Sequence, residues 1–194
     1  MNKDDPLVIA DTKIRTVLFE IETLARRNFL PIIGPEKGKH LADTVTQVRP
    51  HHILEVGTLI GYSAILMAGY LPDEGHIYTI EINSDSARKA RENIQRAELS
   101  HKITVITGDA LEIIPALHEQ FEMCFLDAEK SEYLAYLKRA EPLLRKNSVV
   151  FSDNAKIFAS AMRDYLDYVR HSGKYASRFL DVGFDGVEIS TKLF

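Results

Sequence analysis

The strongest constraint on the fold is an alternation of short apolar segments with amphipathic segments between residues 53 and 170. Short runs rich in Ile, Val, Leu and Phe are typical of strands buried on both faces of a parallel sheet. The segments between them carry apolar residues at helical spacing. A chain that alternates in this way predicts a parallel sheet covered by helices. The predicted strands are 53–56, 77–80, 103–107, 121–126 and 148–152, and the helices that follow them are 63–71, 84–97, 110–117, 132–144 and 157–170.

The C-terminal part departs from this alternation. Two further predicted strands, 177–182 and 187–191, are separated only by the turn 183–186, which is typical of a hairpin. We therefore expect an antiparallel C-terminal edge on the sheet.

The N-terminal part precedes the first predicted strand. Residues 1–11 are polar and expected to be loose, and helices are predicted at 14–25 and 36–48. The segment 29–38 between those helices holds two glycines and two prolines, which favours either a plain connector or a mobile flap beside a ligand. The overall prediction is one doubly wound, mostly parallel, seven-stranded Rossmann-like domain over 1–194, with N-terminal helices and flap in 1–50 and the α/β core in 51–194.

Composition limits the class of protein. The chain has 194 residues and a formal net charge of −4, which gives no general attraction to nucleic acid or to an anionic membrane. Its single cysteine, Cys124, lies in an apolar run, so we expect a buried thiol and no intramolecular disulfide. The sequence has no apolar signal region and no membrane-spanning run, which favours a cytoplasmic enzyme without membrane contact.

A glycine turn joins the first predicted strand to its helix, with the sequence Glu55-Val-Gly57-Thr58-Leu-Ile-Gly61-Tyr-Ser63. Gly57 and Gly61 permit positive φ and let a ligand approach the backbone, while the helix N-terminus offers unpaired N–H groups. Thr58 stands where a dinucleotide fingerprint needs its second glycine, and no phosphate-loop Gly-Lys-Ser/Thr follows. Glu55 suits a positively charged ligand such as S-adenosylmethionine. The alternative is a glycine turn in another kind of α/β protein.

Ligands of open parallel sheets bind beyond the carboxyl ends of the strands. Glu81 ends the second predicted strand, where its carboxylate could accept both ribose hydroxyls of an adenosine. Gly108-Asp109-Ala110 ends the third strand. Asp109 either caps the next helix or accepts from an adenine amine, and one residue could do both.

Oxygen donors gather at the next two strand ends. Asp127 ends one strand and Asp153-Asn154 ends the other, with Lys130 close to Asp127 in sequence. Two carboxylates and an amide oxygen are hard ligands that suit Mg²⁺, and no Cys/His zinc spacing is present. Asp153-Asn154 alone would indicate a cap or turn, and Lys130 alone a surface lysine. Their combination favours a divalent-cation site.

Five ordered motifs resemble those of the metal-dependent catechol and caffeoyl-CoA type O-methyltransferases, and the likeness extends from about Gly34 to the C-terminus. Ala128-Glu129 replaces the His-Trp of the animal catechol enzymes, which favours the bacterial and plant branch. The motifs are Glu55-Val-Gly-Thr-x-x-Gly61-Tyr-Ser63, Glu81-Ile82-Asn83, Asp127-Ala-Glu-Lys130, Ser152-Asp153-Asn154 and Asp185-Gly186-Val-Glu188.

The resemblance implies a role for each matching residue. S-adenosylmethionine would be held by the glycine turn, the acidic strand end and the Gly-Asp-Ala turn, that is by Glu55, Gly57, Thr58, Gly61, Ser63, Glu81, Ile82, Gly108, Asp109, Ala110 and Asp127. Asp127, Asp153 and Asn154 would bind Mg²⁺ or another divalent cation such as Ca²⁺ or Mn²⁺. Lys130 would be the general base. Lys37 and Glu188 are candidate substrate contacts.

The expected activity is S-adenosylmethionine-dependent O-methylation of a small vicinal diphenol or related phenolic. One alternative is methylation of a hydroxylated uridine in tRNA, with phosphate contacts from Arg15, Arg26, Arg27, Lys37 and Lys39. Another is a cofactor-binding module without chemistry. A homodimer is expected, because the apolar face of the first helix must be covered.

Overall fold

The computed structural model describes residues 9–194, so the expected loose N-terminus lies mostly outside the described residues. Ile9, at its edge, is buried. The helices are α1 (Thr12–Asn28), α2 (Gly34–Val48), α3 (Tyr62–Ala68), α4 (Ser84–Arg96), α5 (Ala110–Ile113), α6 (Tyr133–Ala140) and α7 (Arg163–His171). The strands are β1 (His52–Val56), β2 (His76–Glu81), β3 (Ile103–Thr107), β4 (Phe121–Leu126), β5 (Leu144–Ser152), β6 (Tyr175–Val182) and β7 (Asp185–Lys192).

The strands form one seven-stranded sheet in the order β3-β2-β1-β4-β5-β7-β6, which confirms the predicted fold class. β1 to β5 are mutually parallel, while β7 is antiparallel to both β5 and β6. Val56 is in register with Ile80 on one side and with Leu126 on the other, and Leu126 pairs with Ser152. The carboxyl ends of β1, β2, β4 and β5 therefore meet at one edge of the sheet.

Two apolar cores cover the two faces of the sheet. Neighbouring residues of β1 enter opposite cores, with Ile53 on the side of α1 to α4 and Leu54 on the side of α5 to α7. This alternation is the two-residue period of a strand buried on both faces. Cys124 is fully buried on β4, as predicted, and burial raises the pKa of its thiol to about 12.

The apolar face of α1 is covered by this chain. Ile14, Val17, Leu18 and Ile21 are buried in the same core as α3. Most of the apolar face of α1 therefore needs no second copy of the chain to cover it, although Leu24 is 45% exposed, and the homodimer stays a prediction. None of the helices within residues 9–194 is both long and apolar enough to cross a lipid bilayer.

Several predicted helices were too long. α5 and α6 each give way to a single 3-10 turn, at Ile114–Ala116 and Glu141–Leu143, because a proline interrupts the helical hydrogen bonds. The helix predicted at 157–170 begins only at Arg163. The residues before it form turns, with Phe158 N donating to Asn154 O and Met162 N to Phe158 O, each at 3.1 Å. This segment also contacts the C-terminal hairpin, since Ala155 N donates to Gly186 O at 2.8 Å and Ile157 N to Asp185 Oδ1 at 3.3 Å.

Candidate active site

A cavity of about 740 Å³ lies over the carboxyl ends of the parallel strands. It is lined by most of the residues selected from the sequence, namely Lys37, Gly57, Thr58, Ser63, Glu81, Ile82, Gly108, Asp109, Ala110, Asp127, Lys130, Asp153 and Asn154. Apolar and aromatic residues complete the wall. Pro31, Ile32 and Ile33 come from the segment predicted as a connector or flap, whereas Tyr62, Tyr136, Ile157 and Phe158 were not predicted as site residues. The segment between α1 and α2 is thus part of this wall, although α2 begins at Gly34 and leaves a shorter loop than expected.

The glycine turn has a packing reason as well as room for a ligand. Gly57 has φ of 100°, and a Cβ there would lie 2.2 Å from the carbonyl oxygen of Asp127. Gly61 has φ of 88°, and its added Cβ would lie 3.4 Å from Ala90 on α4. Glycine adopts both of these positive φ values without strain. At position 57, any larger residue would also clash with the backbone of Asp127.

Glu55 is buried beneath the turn rather than exposed in the cavity. Its Oε1 accepts a hydrogen bond from the Ser63 hydroxyl, whereas Oε2 accepts none of good geometry from the described residues. Burial raises the pKa of Glu55 to about 7, and the nearby Asp127 and Glu81 act in the same direction. Glu55 therefore orders the turn from below, in a setting that favours a positive charge close by.

Glu81 ends β2 with its carboxylate held by backbone donors. Oε2 accepts from Leu59 N at 2.7 Å and Oε1 accepts from Asn83 N at 2.9 Å. A carboxylate offers about four acceptor positions, so both oxygens keep capacity for further donors. Ile82 beside it is 73% exposed and offers an apolar surface.

Asp109 caps α5, because its side chain accepts from Leu111 N at 2.8 Å. The residue is also exposed and lines the cavity. The capping alternative is thus observed, and the position also suits contact with a ligand.

Asp153 is the most buried oxygen donor at the other end of the cavity, with an exposed fraction of 1%. The Lys37 ammonium lies 2.6 Å from its Oδ1 and 2.7 Å from its Oδ2, and only Oδ2 accepts in good geometry. Burial and the neighbouring Asp127 raise the pKa of Asp153, although Lys37 opposes this. The neighbouring carboxylates of Asp127 and Asp153 repel each other, so this part of the cavity favours a positive charge.

Asp185, the first residue of β7, lies next to Lys37 and Asn154. It accepts from Lys37 Nζ at 2.8 Å and from Asn154 Nδ2 at 2.7 Å. Burial alone would raise the pKa of Asp185, but these two donors lower it to about 2. Asp185 belongs to the motif Asp185-Gly186-Val-Glu188, but no role for it was predicted from the sequence. The only signal was its place beside Gly186, which predicted a turn rather than a buried acid.

Lys130 lines the cavity beside Asp127. Its Nζ donates to Asp127 Oδ1 and to the Tyr133 hydroxyl, each at 2.9 Å. Burial raises the pKa of Tyr133 well above its usual value, so the phenol stays neutral and donates to Leu126 O at 3.0 Å. The side chain of Lys130 is 15% exposed. This geometry is not that of a free surface lysine.

Glu188 does not line the cavity. Its carboxylate receives two hydrogen bonds from Arg170, with Nε at 2.9 Å and a second guanidinium nitrogen at 2.6 Å. It therefore does not reach the position expected of a substrate contact.

Lys37 lines the cavity, but Asp153 and Asp185 already bind its ammonium, which leaves it poorly suited to a phosphate.

The oxygen donors fit a divalent cation. Within residues 9–194, no three His, Cys, Asp or Glu side chains form a metal-binding group. The set that fits is instead Asp127, Asp153 and the amide of Asn154, and Asp153 Oδ1 faces the Lys37 ammonium at 2.6 Å without a hydrogen bond of good geometry. Such a set leaves positions for water and substrate oxygens, as Mg²⁺ prefers.

Comparison with known proteins shows the family of this chain. The family model described as "O-methyltransferase" matches residues 12–171. Catechol O-methyltransferase B of Danio rerio is 35% identical over 84% of this chain and 64% of its own length. Catechol O-methyltransferase of Niastella koreensis is 38% identical over 63% of this chain and 57% of its own length. This chain therefore spans less than two thirds of either relative.

A solved structure supports the same grouping. The O-methyltransferase from Bacillus cereus, in complex with SAH, superposes with a TM-score of 0.83 at 28% identity. The match covers 91% of this chain and 90% of that one. This chain belongs to the O-methyltransferase family.

Proposed function

We propose that this protein transfers the methyl group of S-adenosylmethionine to a hydroxyl of a small vicinal diphenol or related phenolic, with a divalent cation such as Mg²⁺ as a second cofactor. The observation that carries this proposal is one cavity that combines the glycine turn and Glu81 with Asp127, Asp153, Asn154 and Lys130.

The cofactor half of the site suits an adenosine joined to a charged amino acid. The spare acceptor positions of Glu81 suit the ribose hydroxyls, and Asp109 is exposed where an adenine amine would lie. Ile82 and Ala110 offer apolar surface for the base, while Gly108 leaves room for it. Thr58 and Ser63 line the cavity above buried Glu55, where positive charge is favoured.

The cation half suits an acceptor with two neighbouring oxygens. Asp127, Asp153 and Asn154 would hold the divalent ion, which when bound favours the ionised form of a phenol. Ile157 and Phe158 are 43% and 45% exposed and would flank an aromatic ring. With the ion bound, these residues would hold the acceptor hydroxyl on the side of the cavity that faces the glycine turn.

Lys130 supplies the proton acceptor. Asp127 and Tyr133 fix its amino group, which takes the proton of the acceptor hydroxyl. The acceptor oxygen then forms a bond to the methyl carbon, and the methyl–sulfur bond breaks with its electron pair left on sulfur. The products are the methyl ether and S-adenosylhomocysteine. Most of the remaining catalysis is positioning within the cavity.

The activity is tested by incubating the protein with 1,2-dihydroxybenzene and S-adenosylmethionine that carries a labelled methyl group. Labelled methyl ether should form with Mg²⁺ present and should fall to background with EDTA. No transfer to any of a panel of vicinal diphenols would overturn the proposal. In the same assay, transfer only to a hydroxylated uridine in tRNA would support the alternative substrate.

A further inference from the structure

Asp185 is a buried carboxylate next to Asp153 and Asn154, two of the residues proposed to bind the cation. It receives hydrogen bonds from Lys37 Nζ, Asn154 Nδ2 and Ile157 N. It does not itself line the cavity, so it is not placed to contact a cofactor or an acceptor. Two of its partners, Lys37 and Asn154, do line the cavity.

We propose, on the basis of the function proposed above, that Asp185 is a positioning residue for the cation site. It holds the Asn154 amide with its oxygen free for the cation, and it shares the Lys37 ammonium with Asp153, so that Asp153 does not pair with Lys37 alone. Both effects favour cation binding.

The first effect follows from hydrogen-bond chemistry. An ionised carboxylate only accepts, so Asp185 must face Nδ2 of Asn154, at the observed 2.7 Å. The acceptor Oδ1 is then the amide end that remains for a cation. Asn154 has φ of 63°, and its neighbour Ala155 is tied to Gly186 O at 2.8 Å, so the backbone is fixed as well. Without Asp185, the amide can rotate and turn an N–H toward the cation.

The second effect is electrostatic. The Lys37 ammonium is shared between Asp153 and Asp185, at 2.6 Å and 2.8 Å from their nearest oxygens. Without the charge of Asp185, Lys37 would pair with Asp153 alone. A cation and an ammonium would then compete for the same carboxylate, because like charges at this distance in a buried site repel strongly.

A purely structural Asp185 would tie α2 to β7 and stabilise the fold without affecting cation affinity. The two roles are therefore separated by a binding measurement on the protein in the absence of turnover. Mn²⁺ is a suitable probe, because its electron paramagnetic resonance signal is lost from the free pool on binding.

The test is a Mn²⁺ titration of the wild type and of Asp185→Asn. We expect Asp185→Asn to bind Mn²⁺ about 10- to 100-fold more weakly, as is typical when a partner of a metal ligand is removed. The matched control is Asp181→Asn in the same hairpin, an exposed acid paired with Lys156, which should bind as the wild type does. Equal affinity of Asp185→Asn and wild type would overturn the positioning role alone. A wild type that binds no Mn²⁺ would instead contradict the cation requirement of the proposed function.

A second pair of variants carries the test if Asp185→Asn does not fold. Lys37→Met and Lys37→Met/Asp185→Asn both lack the competing ammonium, so their difference reports the Asn154 amide. The double variant should bind Mn²⁺ more weakly than Lys37→Met, and circular dichroism checks that both are folded. Equal affinity of these two variants would overturn the proposed orientation of Asn154.

Discussion

Gly57 and Asp127 pack backbone against backbone, so that a Cβ on Gly57 would lie 2.2 Å from the carbonyl oxygen of Asp127. Gly57 directly follows β1, and Asp127 directly follows β4. The pairing of Val56 with Leu126 at the ends of these strands brings Asp127 to the edge of the cavity. Replacement by alanine adds both this clash and the strain of a side chain at φ of 100°. We expect Gly57→Ala to lower the free energy of unfolding by about 3 kcal/mol or more, measured by urea denaturation.

The control for Gly57→Ala separates clash from strain. Gly173 also has positive φ, of 74°, but nothing lies within 4 Å of its added Cβ. Gly173→Ala should therefore cost only about 1 kcal/mol. Similar losses in the two variants would show that contact with Asp127 is not what requires glycine at position 57.

Glu55 makes the stability of the unliganded protein depend on pH. The pKa of Glu55 is raised from 4.5 to about 7 in the folded chain, so the folded state binds its proton more tightly than the unfolded state. The stabilising contribution of that proton is complete below pH 4.5 and is lost as pH rises through 7. Glu55→Gln, which stays neutral, should gain stability relative to the wild type over this window, by up to about 3 kcal/mol.

The measurement for Glu55→Gln is thermal unfolding of both proteins in EDTA at a series of pH values. The difference in Tm, variant minus wild type, should grow with pH and then level off. A difference that is the same at every pH would mean that Glu55 does not titrate in this range.

Glu81 is the residue on which cofactor affinity should depend most. In Glu81→Gln, the side chain keeps one acceptor oxygen for two backbone donors, Leu59 N and Asn83 N, and loses its charge. We expect S-adenosylhomocysteine to bind about 10- to 100-fold more weakly by calorimetry. Glu92→Gln, at an exposed position on α4, is the matched control and should bind as the wild type does. Unchanged binding by Glu81→Gln would remove Glu81 from the cofactor site.

Lys130 should affect turnover and not cofactor binding. Lys130→Met removes the proposed proton acceptor beside Asp127 and should lower kcat by about 10²- to 10⁴-fold. Its affinity for S-adenosylhomocysteine should match that of Lys89→Met, an exposed control on α4. Full turnover by Lys130→Met would exclude the assigned role.

The sequence predicts much of the site because a parallel sheet brings its carboxyl ends together. Glu81, Asp127 and Asp153 each directly end or follow a short apolar run, and register between neighbouring strands brings them to one cavity. The type of each group was readable from the sequence, since hard oxygen donors and a nearby lysine indicate a cation site.

The contacts of Lys37 and Asp185 were not predictable in the same way. They lie 148 positions apart, and neither a helical period nor a strand period relates them. β7 pairs antiparallel with β5, and the register of this pairing places Asp185 at the site. The hairpin pattern in the sequence predicts the two last strands but not their register against β5.

The most direct test of the account is methyl transfer by metal-stripped protein to 1,2-dihydroxybenzene and to 1,3-dihydroxybenzene as Mg²⁺ is added back. Two neighbouring oxygens are required if the acceptor binds at Asp127, Asp153 and Asn154. The account predicts no transfer without Mg²⁺, saturable recovery for the 1,2-isomer and little for the 1,3-isomer. Equal rates for both isomers, or full activity in EDTA, would contradict it.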